Sequence, residues 1–125
     1  TTTGATDFAI GTGSSNTDLI IASQGGAAGS YTYAAGVCAD YTVDDGGVTY
    51  DDWFLPSQDE LNEMRQNIGQ GNTSGSGNVG EFLDGFYWSS TEYSNHAAWL
   101  QNFFDDTRGT SSKASTVNVR AVRAF

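Results

Sequence analysis

The sequence predicts an α+β fold in which helices come first and strands close the chain. Three observations carry that reading. The stretch from Phe86 to Phe125 holds three aromatic and β-branched runs, Phe86-Tyr87-Trp88-Ser89-Ser90-Thr91-Glu92, Ala97 to Phe104 and Val117 to Phe125, separated by polar turns. Upstream, Ser57 and Glu60 stand three residues apart before an apolar-periodic run, the signature of a capped helix. Finally, 16 glycines against one proline in 125 residues imply many tight or irregular loops between short elements. The length fits one domain, residues 1–125, with enough chain to bury a core.

Along the chain, Phe8 and Ile10 share one side of an extended segment and suit a short edge strand. Ser15 is placed to cap a first helix, with Asp18 in its first turn, Leu19, Ile20 and Ala22 on its apolar side, and Gly25-Gly26 as its stop. A second short helix runs from Ala34 to Tyr41 and puts Ala35, Cys38 and Ala39 on one face. Residues 40–52 read as an acidic, glycine-broken loop, followed by a strand around Trp53. The helix capped by Ser57 places Leu61, Met64 and Ile68 on one face and stops at Gly69. Residues 69–80 are nearly all Gly, Asn, Ser and Thr, a mobile loop. The last strand is expected to bury Phe125 in its own sheet, a gain of roughly 1.5–3 kcal/mol.

Charge narrows the function classes. The net charge is −10 and is unevenly placed. Residues 1–106 carry all fifteen acids and a single base, Arg65, leaving −14, while residues 107–125 carry Arg108, Lys113, Arg120 and Arg123 and no acid, giving +4. Such a body repels nucleic acid and anionic membranes. The basic terminal segment has two readings, neutralisation of acids of the body, with Asp84, Glu92, Asp105 and Asp106 as candidate partners of Arg120 and Arg123, or a local site for an anion or glycan carboxylate. No run approaches the roughly 20 apolar residues of a membrane span. Thr1-Thr2-Thr3-Gly4 reads as the start of a trimmed chain. A lone Cys38 forms no internal disulfide and no cysteine zinc cluster.

The order Trp53-Phe54-Leu55-Pro56-Ser57, then Tyr87-Trp88-Ser89-Ser90-Thr91-Glu92, then Trp99 with Asn102-Phe103, Lys113, and finally Val119-Arg120-Ala121-Val122-Arg123 resembles the Lcl C-terminal-domain family. Ile10-Gly11-Thr12-Gly13 and Cys38-Ala39-Asp40-Tyr41 extend the likeness over nearly the whole chain. The resemblance implies a C-type-lectin-like domain, two or three short helices flanking a twisted, mostly antiparallel sheet with long loops, related in architecture to the formylglycine-generating enzyme fold. It also implies a secreted or cell-surface bacterial module, often at a fibre end, and favours a homotrimer. Binding of sulfated glycans, known in the family, does not suit a chain at −10.

The residues favour a binder over an enzyme. Cys38 reads as a small buried hydrophobe, and His96 falls in a polar turn without a placed partner. The formylglycine-type chemistry depends on more than one cysteine, so the fold relation does not carry the activity. Trp88, Tyr93 and Trp99 offer apolar faces, and Glu92, Asn95, His96, Gln101, Asn102, Asp105, Asp106 and Arg108 offer polar contacts, for a glycan or a cell-surface protein. No cofactor is expected. Asp44 and Asp45 in the acidic loop leave calcium as one possibility, though the loop lacks the alternating ligands and distal Glu of an EF-hand.

Overall fold

The computed structural model describes residues 1–124. The architecture is α+β: helices α1 (Gly13–Gln24), α2 (Ala34–Asp40) and α3 (Gln58–Ile68), and strands β1 (Val43–Asp45), β2 (Val48–Tyr50), β3 (Phe86–Glu92), β4 (Ala97–Asn102) and β5 (Arg108–Ser112). β1 and β2 form a two-stranded antiparallel sheet, and β3-β4-β5 form an antiparallel sheet of three. The expected burial of Phe125 lies outside the described residues.

Alternation in β3 and β4 sends one set of side chains to each face of the sheet. Trp88 and Leu100 pack with Ala35, Cys38 and Leu55 under α1 and α2. Tyr87 joins Leu61, Phe82 and Phe103 beneath α3. In the second cluster the rings of Phe82 and Tyr87 each lie 4.7 Å from Phe103. The Arg120 guanidinium covers Phe82 at 4.2 Å and donates to the Gly80 carbonyl at 2.9 Å, which holds the end of the 69–85 loop to the core.

α3 starts where the sequence says. Ser57 accepts from the Glu60 amide at 3.4 Å, and Glu60 accepts from the Ser57 amide at 2.8 Å, a complete capping box. Ser57 also donates to the Ala9 carbonyl at 2.8 Å, so the cap ties the N-terminal segment to the helix. The apolar stripe is shorter than expected: Leu61 is buried but Ile68 is exposed. Arg65 takes the inward place instead, donating from Nε to the Phe103 carbonyl at 3.0 Å.

Several expectations are corrected. Phe8 and Ile10 form no strand and are both exposed; their segment is a loop whose carbonyls serve as hydrogen-bond acceptors. α1 begins after Thr12 rather than at Ser15, and its inward face is polar, with Asn16 and Thr17 buried and Leu19 exposed. The reason is that this face meets backbone: Thr17 Oγ1 accepts from the Leu55 amide at 3.0 Å. Gly13 is required there, because a Cβ would stand 2.9 Å from the Leu55 carbonyl oxygen and from the Ser57 nitrogen. The acidic 40–52 stretch is a hairpin, closed by Gly46 and Gly47 at φ 60 and 82. The 69–80 loop is stitched by amides: Gln70 and Asn78 both donate to the Phe82 carbonyl at 2.8 Å.

The strands differ most. Arg108–Ser112, a turn in the sequence reading, is β5, paired from Gln101↔Arg108 to Ala97↔Ser112. The last expected strand reduces to two single bridges, Tyr87↔Asn118 parallel and Phe54↔Val122 antiparallel. A segment that changes partner between Asn118 and Val122 builds no continuous ladder. The Trp53 strand likewise contributes only Phe54. Neither Arg120 nor Arg123 pairs with Asp84, Glu92, Asp105 or Asp106: Arg123 makes a two-pronged contact with Asp52 at 2.6 and 3.1 Å.

Removing the Ser57 hydroxyl deletes a cap and a buried hydrogen bond together. Ser57→Ala is expected to lower the unfolding free energy by about 2 kcal/mol, measured by urea denaturation.

Candidate functional site

A cleft of about 640 Å³ opens between the α1–α2 pair and the sheet face that carries Trp88 and Ala98. This is within the usual range for a small-ligand site. Its apolar side is made by Ile20, Ala34, Ala98, Val117 and Val119, half-buried side chains packed on the core beneath. Hydroxyls from Thr32, Ser112, Ser115 and Thr116 line the rest, and Glu92, Asn95, His96 and Lys113 form one end.

Glu92 organises that end. It terminates β3 and is 6 % exposed. Its carboxylate accepts from the Thr3 amide at 2.9 Å, from the Gly4 amide at 3.3 Å and from Lys113 Nζ at 2.6 Å. Lys113 Nζ also donates to the Thr1 carbonyl at 2.8 Å. The ion pair thus fixes the N-terminal segment against the turn after β5. Burial pushes the Glu92 carboxyl up, but the hydrogen bonds from Lys113 and the Thr3 and Gly4 amides and the lysine's charge outweigh it, leaving the pKa below its ordinary value.

The residues singled out in sequence divide between the two faces of the sheet. Glu92, Asn95 and His96 belong to the cleft. Tyr93 turns the other way and meets Trp99 edge-on at 5.7 Å, with Phe8 edge-on to the same indole at 5.4 Å. Gln101, expected to offer a ligand contact, is fully buried; it donates to Asn62 Oδ1 at 2.9 Å and to Asp106 Oδ1 at 2.6 Å, while its Oε1 has no partner among the described residues. Arg108 donates to the same Asn62 oxygen at 2.9 Å and to Asp106 at 3.3 Å. Asn102 and Asp105 shape the β4–β5 turn, accepting from the Phe104 and Thr107 amides at 2.8 and 2.9 Å. The Thr107 hydrogen bonds hold the Asp105 carboxyl below its usual range.

Asp44 and Asp45 lie on the β1–β2 hairpin, where Asp44 accepts from the Thr49 hydroxyl at 2.6 Å. Among the described residues no three His, Cys, Asp or Glu side chains come together as a metal site. Burial pushes the Cys38 thiol up to about 12. The sequence reading missed the helical wall of the cleft and the importance of Lys113. The signals for Lys113 were its place in the family pattern and its charge, a base in an acid-free segment opposite an acidic body.

The fold and this cleft are those of a small α+β domain with a preformed ligand-sized recess. The family model of the Lcl C-terminal domain matches residues 13–123, and the chain belongs to that family. Its members are surface or secreted domains. A comparison with curated proteins finds no match.

Because the native pKa of Glu92 lies below the unfolded value, its contribution is fully present above about pH 4.3 and is lost as pH falls through the native pKa. Lys113→Met strands the carboxylate and is expected to cost about 3 kcal/mol at neutral pH. That difference from the parent protein should shrink below pH 4, measured by urea denaturation across pH.

Proposed function

We propose that this chain is a non-catalytic binding or adhesion module of a bacterial surface or secreted assembly, and that it recognises a glycan or a cell-surface protein. The observation that carries the reading is the cleft of about 640 Å³, which joins an apolar wall to a rim of hydroxyl and amide groups. Such a mixture suits recognition: apolar area supplies binding energy and a few polar groups fix orientation. The aromatic row of Phe8, Trp99 and Tyr93 on the opposite face offers additional contact area. The family's surface or secreted character agrees with a role outside the cell.

A non-catalytic reading is supported by the chemistry of the obvious candidates. A thiol held at about 12 stays protonated and is a poor nucleophile at neutral pH. His96 hydrogen-bonds through its backbone, donating to Ser94 Oγ and accepting from the Lys113 amide, and among the described residues no hydrogen bond orients its ring. The net charge of −10 disfavours nucleic acid, and no helix among the described residues is long and apolar enough to cross a membrane.

A second reading is a fibre-tip or structural subunit whose main role is assembly, with a homotrimer as the favoured form. Val79, Leu83 and Phe104, 56, 65 and 62 % accessible, are apolar side chains that such an interface would cover. Light scattering on the purified chain tests it: a stable trimer supports assembly and a monomer at high concentration counts against it.

A glycan array, run with calcium and with chelator, tests the main reading. Reproducible binding is expected, and Thr116→Trp, which places an indole at an exposed position on the rim, should weaken it about tenfold or more. Loss of binding in chelator would move attention to the Asp44–Asp45 hairpin. Retention of full affinity by Thr116→Trp would place the ligand elsewhere.

A further inference from the structure

We infer that the cleft takes an uncharged saccharide and excludes sulfated and carboxylated glycans. The inference rests on the binding reading above and adds the chemistry of the ligand. Among the described residues lining the cleft, Glu92 is the one carboxylate side chain and Lys113 the one lysine or arginine. They are joined at 2.6 Å. Glu92 is further occupied by the Thr3 and Gly4 amides, and Lys113 by the Thr1 carbonyl. With histidine neutral, the side chains of the lining sum to no net charge in a chain at −10.

Two consequences follow for an anionic ligand. Lys113 keeps one ammonium hydrogen beyond those given to Glu92 and Thr1, but its charge is already offset by Glu92 at 2.6 Å, and drawing it onto a sulfate or carboxylate would leave a carboxylate whose side chain is 4 % exposed without its counter-ion. The ligand would also approach against the field of an acidic body, and polyanions feel that field most. An uncharged ligand meets neither obstacle.

The remainder of the lining selects among uncharged ligands. Ile20, Val117 and Val119 present aliphatic surface, while Thr32, Ser115 and Thr116 present hydroxyls that both donate and accept. A pyranose ring has the matching division, with CH groups on its faces and hydroxyls around its edge. A wholly apolar ligand would leave the rim hydroxyls unpaired, at a cost. The volume of about 640 Å³ is sufficient for a short oligosaccharide.

The experiment compares immobilised chitotetraose and cellotetraose with a heparin tetrasaccharide, using the intact chain at low and high sodium chloride. Binding of a neutral tetrasaccharide is expected, changing less than about twofold between the two salt conditions, because no ion pair forms. Thr116→Trp should reduce it about tenfold, and Ser115→Trp, also on the exposed rim, serves as the second blocking variant. The heparin fragment should not bind. Salt-sensitive heparin binding lost in the blocking variants would overturn this inference and leave the cleft as a ligand site. Neutral binding untouched by both variants would overturn the assignment to the cleft. No binding of any saccharide to folded protein would overturn the inference together with the glycan form of the parent reading.

Discussion

The outer edge of β3 is the constraint on which the rest of the structure depends. Three successive outward amides, those of Trp88, Ser90 and Glu92, need acceptors in the interior. Each takes one from a different part of the chain: Asn118 at 3.0 Å, Pro56 at 2.8 Å and Ala5 at 2.7 Å. A single neighbouring strand would satisfy all three in one ladder. Here the ladder is assembled from segments near both ends and the middle of the sequence, since a buried amide left unpaired is costly. This arrangement brings the N-terminal segment, the start of α3 and the C-terminal segment together around β3.

A composite edge requires polar side chains in the core. Ser89 Oγ donates to the Trp99 carbonyl at 2.8 Å where the pairing of β3 and β4 shifts register between Trp88 and Glu92. Thr91 Oγ1 accepts from the Gln58 amide and donates to the Asp7 carbonyl. Asn16 donates to the same Asp7 carbonyl at 2.8 Å. These buried residues replace missing sheet partners. The cleft occupies the same irregular region, bounded by Ser89, Ser90 and the turn after β5, so the recess and the composite edge share one origin.

Charge segregation along the sequence becomes charge pairing in space. Lys113 meets Glu92, Arg108 meets Asp106 and Arg123 meets Asp52. The basic terminal segment is thus largely spent within the domain, which leaves the surface strongly acidic and the cleft lining balanced. The contact of Lys113 with buried Glu92 joins positioning and recognition, because the same pair holds the N-terminal segment and sets the charge at the cleft end.

Local chemistry was legible in the sequence. The Ser57–Glu60 box begins α3, Gly25 ends α1, Cys38 is buried on α2, and the apolar runs at β3 and β4 form strands, because caps and strong periodicity act over a few residues. The α+β class and the family followed from the order of those pieces. The polar face of α1, the Gly-Ser-Thr strand β5, the division of 117–122 between two partners and the cleft itself followed from tertiary structure alone. Arg108–Ser112 carries no periodic apolar signal, and the alternating Val117 and Val119 signalled a strand without showing that the segment changes partner. Arg108–Ser112 is a strand because β4 lies beside it, and Asn16 and Thr17 are buried because backbone groups there need partners. Hydrogen-bond demand from distant segments decided those features, and it appears in no window of the sequence.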